Sequence, residues 1–127
     1  MPTYQAPVSD MRFLLNDFLE IGKYQNLPGF EEVSPDLTDA ILSEGAKIAE
    51  EVLFPLNQSG DEEGCHFEDG AVTTPKGFKE AYKTYTEGGW AGLTADPKYG
   101  GQGLPRVMGV AFAEMTTAAN LSFGTYP

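Results

Sequence analysis

Paired cysteines, basic clusters and long apolar runs are all absent from this chain of 127 residues, and each absence removes a class of function. The single cysteine, Cys65, cannot close an internal disulfide. The N-terminus carries no basic region ahead of an apolar core, so no signal peptide is read there, and a reducing cytoplasm is the expected compartment. Every apolar stretch is interrupted by charge or glycine well before the ~20 residues that a membrane span needs. Eight basic residues stand against nineteen acidic ones, a formal charge of -11. With no Lys/Arg cluster to neutralise phosphates, nucleic acid is excluded as a partner, and an anionic membrane surface is disfavoured. His66 is the only histidine and no Gly-x-Ser-x-Gly pattern occurs, so no serine nucleophile has a base to activate it.

What is present reads as helix. The length suits one domain with one modest core, burying roughly two-thirds of the unfolded surface. Ser9 or Asp10 can cap a first helix in which Met11, Leu14, Leu15, Phe18 and Leu19 recur at helical spacing, with Gly22 near its end. Ser34-Pro35-Asp36 offers a capping hydroxyl, a proline where no amide donor is needed and an acid that the helix dipole favours. The second helix is predicted to run to about Leu56, with Leu37, Ile41, Ile48 and Val52 on one face and Pro55 bending or ending it. A polar loop from Asn57 to Gly70 follows. Thr74-Pro75 starts a third helix carrying Phe78, Ala81, Tyr82 and Tyr85 on one side, which Gly88 stops. Leu104-Pro105 starts a fourth, through about residue 122, so apolar that burial nearly all round is expected. No strand alternation, internal repeat or low-complexity segment stands out, and the predicted fold class is all-α with about four helices.

Between the third and fourth helices lies Gly88 to Pro105, GGWAGLTADPKYGGQGLP, whose glycines bracket a Trp and an Asp-Pro. A loop of this kind makes several sharp turns where side chains would obstruct, and Trp90 is expected to cover it as core. With the Glu114 helix and the Ala-Asn-Leu-Ser-Phe segment, it resembles the N-terminal helical domain of acyl-CoA dehydrogenases. Residues 1–13, MPTYQAPVSDMRF, resemble the N-terminal extension of a bacterial subgroup, the 3-methylmercaptopropionyl-CoA dehydrogenase-like enzymes. Residues 1–33 then form an extension with one helix, and residues 34–127 belong to the helical domain itself.

The resemblance implies a fragment. Enzymes of this family continue into a middle β domain and a C-terminal helical bundle, and it is there, beyond Pro127, that the FAD-binding segments and the carboxylate removing the substrate α-proton are implied. The implied activity is 2,3-dehydrogenation of an acyl-CoA thioester in fatty acid metabolism, the β-hydrogen leaving as hydride to the flavin. No catalytic residue is expected in this chain. Its part is lid and acyl-pocket wall, for which Phe123, Gly124 and Tyr126 are the candidates. The same aromatics fit equally well a domain core or a lost interface.

The Gly100 to Arg106 segment lacks the Gly-Lys-Ser/Thr ending of a phosphate loop, and Arg106 stands where a dinucleotide fingerprint needs its third glycine. Asp61, Glu62, Glu63, Cys65, His66, Glu68 and Asp69 have the spacing of neither a calcium loop nor a zinc site, so no metal is expected. Glu114, alone in an apolar helix, either faces solvent, pairs across a domain contact or is buried as a base. An uncovered apolar fourth helix implies homo-oligomerisation. The rival from another class is a free-standing acidic helical module that binds a partner protein through that helix.

Overall fold

The Ser34 hydroxyl accepts the Leu37 amide at 3.2 Å, and Pro35 follows as the first helical residue, so the central helix starts where its capping sequence says. The structure, a computed structural model, describes residues 3–125. Six α-helices are found among the described residues: α1 (Val8–Arg12), α2 (Pro35–Lys47), α3 (Pro55–Glu63), α4 (Phe78–Glu87), α5 (Arg106–Ala119) and α6 (Leu121–Gly124). The fold is helical, as expected. It also holds one antiparallel hairpin, β1 (His66–Glu68) with β2 (Ala71–Thr73), in the register Phe67 opposite Val72. Three-residue strands are too short to show alternation in sequence. Their turn is Asp69-Gly70, with φ of 50° and 79°, the paired positive angles of a tight hairpin.

Pro55 does not end the helix. From Ile48 to Leu53 the backbone widens into a π-helical stretch, the Phe54 amide bonds the Ala49 carbonyl at 2.9 Å, and α3 begins at Pro55 itself. A wide turn moves the carbonyl that the proline ring would strike in a regular helix, so the chain continues in helical form to Glu63. Half of the expected polar loop is therefore helix.

The second π-helical stretch, Phe13–Phe18, continues α1 and explains another departure. Winding with more residues per turn rotates each side chain by less, so a stripe spaced for an α-helix drifts off the core. Met11 and Leu15 are buried, whereas Phe13, Leu14, Phe18 and Leu19 are exposed. Ser9 and Asp10 lie inside α1 and cap nothing; the helix starts at Val8. The segment is tied to α2 by the Arg12–Asp39 ion pair, and to the π-helical stretch after it by the Ala6 amide, which donates to the Glu50 carboxylate at 2.8 Å.

The core is the seam between α2 and α5. Its α2 side is Thr38, Leu42, Gly45, Ala46, Ala49 and Leu53, displaced by one position from the face that Leu37, Ile41, Ile48 and Val52 mark. Small residues set this choice. A Cβ on Gly45 would stand 2.9 Å from Phe112 and 3.0 Å from Met115, so only glycine lets the two helices come this close. On α5, Met108, Ala111, Phe112, Met115 and Ala119 are buried. The opposite side, with Val110, Ala113, Glu114, Thr117 and Ala118, is open, so α5 is covered on one face only. Aromatic contacts complete the core, with Tyr85 stacked on Phe112 at 5.7 Å and set edge-on to Phe123 at 5.6 Å. Helix α4 starts at Phe78, after Gly77, rather than at Thr74-Pro75. No helix among the described residues is long and apolar enough to cross a membrane.

Candidate functional site

The glycine-rich loop closes on itself. Its two arms run side by side, with the amides of Gln102, Gly103 and Leu104 donating to the carbonyls of Gly92, Ala95 and Leu93 at 2.8, 2.9 and 3.1 Å. The Gln102 side chain adds a bond to the Gly89 carbonyl at 3.0 Å, and the Asp96 carboxylate accepts from Lys98 at 2.8 Å. Gly101 sits where a Cβ would lie 2.1 Å from the Ala95 carbonyl oxygen, a contact no other residue tolerates. Every amide from Lys98 to Leu104 thus donates to an oxygen of the loop itself. None is left to cradle a phosphate, which agrees with the failed nucleotide fingerprints and makes the loop a shaping element. Trp90 lies over it, stacked on Phe112 at 4.4 Å and in contact range of Gly88.

Packing this loop on α5 forms a groove of about 360 Å³, walled by Trp90, Thr94, Arg106, Val110, Ala113 and Gly124. Gly109 permits the close approach, since a Cβ there would meet the Thr94 methyl at 2.7 Å. A second groove, of about 430 Å³, opens on the other side of α6 between Thr74, Phe78, Lys79, Tyr82 and Phe123. Phe123 is 1% exposed and anchors α6 in the core, reaching only the floor of the second groove. Gly124 lines the first groove and packs on Thr117, with 3.0 Å between its Cβ position and the Thr117 hydroxyl. The two residues therefore face different grooves. Tyr126 lies outside the described residues.

Asn120 was missed by the sequence reading. The apolar run does not continue to residue 122: Asn120 takes an extended conformation, φ −157° and ψ 93°, ends α5 and caps α6 by accepting the Phe123 amide at 3.1 Å. An asparagine three residues before Phe123 in an otherwise apolar run was the signal.

The remaining candidates stand apart. Glu114 is exposed on the open side of α5. Tyr4, whose hydroxyl is buried without a hydrogen-bond partner among the described residues, has its ionisation pushed above the usual tyrosine range, first by burial and then by the charges of Glu114 and Glu50. Burial likewise raises Tyr85. Cys65 is exposed, and no group of three His, Cys, Asp or Glu side chains converges among the described residues.

A helical seam and a self-closed glycine loop thus characterise the described residues. No family model matches the sequence. The chain is 37% identical over 125 residues to 3-methylmercaptopropionyl-CoA dehydrogenase of Ruegeria pomeroyi, an alignment covering 98% of the chain. Over nearly its whole length the chain matches acyl-CoA dehydrogenases. Butyryl-CoA dehydrogenase of Syntrophomonas wolfei is 31% identical over 123 residues, and the broad-specificity linear acyl-CoA dehydrogenase FadE5 of Mycobacterium tuberculosis is 27% identical over 128. The chain spans about a fifth of the length of these relatives: 21%, 20% and 21%. The matched residues include the whole loop, both grooves and the α5–α6 junction.

Proposed function

We propose that this chain is the N-terminal helical part of a flavin-dependent acyl-CoA dehydrogenase that introduces a 2,3-double bond into an acyl-CoA thioester. The observation carrying the proposal is the alignment of nearly the whole chain with about one fifth of three acyl-CoA dehydrogenases. Residues 1–33 are the extension and 34–127 the helical domain. The segment supplies lid and wall rather than chemistry, and its location is cytoplasmic. Phe123, Gly124 and Tyr126 are the proposed wall residues. Gly124 has the better placement, beside a groove that Gly109 and Ala113 keep open.

The described residues do not fit FAD. The loop amides from Lys98 to Leu104 are engaged internally, and Arg106 is the single cation on the first groove among the described residues. FAD is bound on this proposal by polypeptide outside the chain, and no step of the reaction is assigned to residues within it. The open face of α5 is the surface on which that polypeptide, or a second copy of the isolated chain, would sit.

The test is the complete reading frame of the gene, expressed beside the 127-residue chain. The longer protein is expected to carry flavin absorbance and to reduce an artificial electron acceptor when given acyl-CoA. The short chain is expected to lose all flavin on gel filtration and to self-associate in light scattering. A reading frame that stops at Pro127 would instead support a free-standing module docking a partner through α5, and flavin retained by the short chain would overturn the division of labour.

A further inference from the structure

The α5–α6 junction is held from an unexpected direction. Asn120 is 1% exposed and uses both ends of its amide. Its Nδ2 donates to the Leu53 carbonyl at 3.0 Å, across 67 residues of sequence. Its Oδ1 accepts the Phe123 amide at 3.1 Å and the Ser122 hydroxyl at 2.9 Å. Leu53 is the last residue of the π-helical stretch, two residues before Pro55. The next turn of α3 is closed by the Asn57 amide on the Phe54 carbonyl at 3.0 Å, so the Leu53 carbonyl takes its donor from Asn120. One amide thus joins the break in the central helix to the first turn of α6.

We infer that Asn120 is a positioning residue, which fixes the Phe123–Gly124 turn against the Leu53–Pro55 break and thereby sets where the proposed acyl-facing wall stands. This rests on the reading of Phe123 and Gly124 as wall. Two features make the tie directional. The acceptor end alone can be supplied by aspartate or serine, which cap helices as asparagine does, whereas a carboxylate has no donor for Leu53 and the serine hydroxyl sits one bond nearer the backbone than the Asn120 Nδ2, short of that carbonyl. The turn is also crowded on its far side, where a Cβ on Gly124 would come within 3.2 Å of the Thr117 Cα, so a displaced α6 cannot simply settle closer to α5. Release of the Leu53 tie moves the wall outward, changing the space for the acyl chain without touching the groups that react.

The test uses the full-length flavoprotein and a series of straight-chain acyl-CoA thioesters from butyryl to palmitoyl. Asn120→Asp keeps the cap and loses the donor, and Asn120→Ser keeps the cap with a hydroxyl too short to reach the Leu53 carbonyl; the serine variant avoids a buried charge and serves if the aspartate variant does not fold. Both are expected to retain flavin and a kcat within about 3-fold of the parent, with KM at the preferred length raised ~10-fold and the preferred length shifted, the pattern of lost binding rather than lost chemistry. Gly124→Ala, which pushes α6 off α5 while leaving the amide in place, is expected to shift the preference as well. Folded variants with the parent's KM profile and only a lower thermal midpoint would overturn the inference, leaving Asn120 a purely structural link. A parent protein without flavin or acyl-CoA turnover would overturn the underlying function instead, and this inference with it.

Discussion

The α2–α5 seam and the N-terminal segment from Val8 to Tyr24 are both rich in apolar residues, yet one closes and the other does not. The seam is built from small residues facing large ones: Gly45 admits Phe112 and Met115, and Ala46 and Ala49 are buried in the same core. The N-terminal segment has large residues on every side and changes winding partway, so Met11, Leu15 and Ile21 reach the core while Phe13, Phe18 and Tyr24 stand in solvent. Apolar content alone does not decide burial. Complementary size and constant periodicity do.

The strongest way to break the contrast is Phe112→Ala, which removes the ring that stacks on both Tyr85 and Trp90. A loss of about 3–5 kcal/mol is expected in chemical denaturation, a large share of the stability of a domain this size. Gly45→Ala follows, at about 1–3 kcal/mol, because the methyl meets Phe112 and Met115. An unchanged midpoint there would show that the seam has slack.

Alkaline pH separates the regions less sharply. Burial raises the pKa of Tyr85 in the folded chain, so the folded state holds that proton more tightly than the unfolded one. The associated stability is fully present below about pH 10 and is lost as pH rises through the folded value. Tyr85→Phe is expected to flatten this alkaline limb of a stability-pH curve. The smallest effect belongs to the open region: Phe18→Ser, at a side chain 70% exposed, should change stability by less than about 0.5 kcal/mol. A loss as large as that of Gly45→Ala would mean that the N-terminal segment is a working part of the core.

Local signals were the legible ones. Ser34-Pro35 announced α2, and the glycine pattern of Gly88 to Pro105 announced both the loop and the family, because caps and positive-φ turns are decided by a few neighbouring residues. The passage of the helix through Pro55 was not legible, since a π-helical turn carries no composition of its own. Nor was the buried face of α2, where Gly45 and Ala46 look like gaps in a hydrophobic stripe until the partner helix is in place. Phe123 and Gly124 were singled out together because the resemblance implied an acyl-pocket wall there, yet they line different grooves. The role of Asn120 depends on a carbonyl 67 residues away, which no window along the chain contains.

That double use of one amide narrows the evolutionary paths open to position 120. A replacement that keeps only the acceptor leaves the Leu53 carbonyl without the donor that Asn120 supplies. The junction is therefore a clasp: one side chain fastens the break in the central helix to the start of the last one, and neither can be adjusted alone.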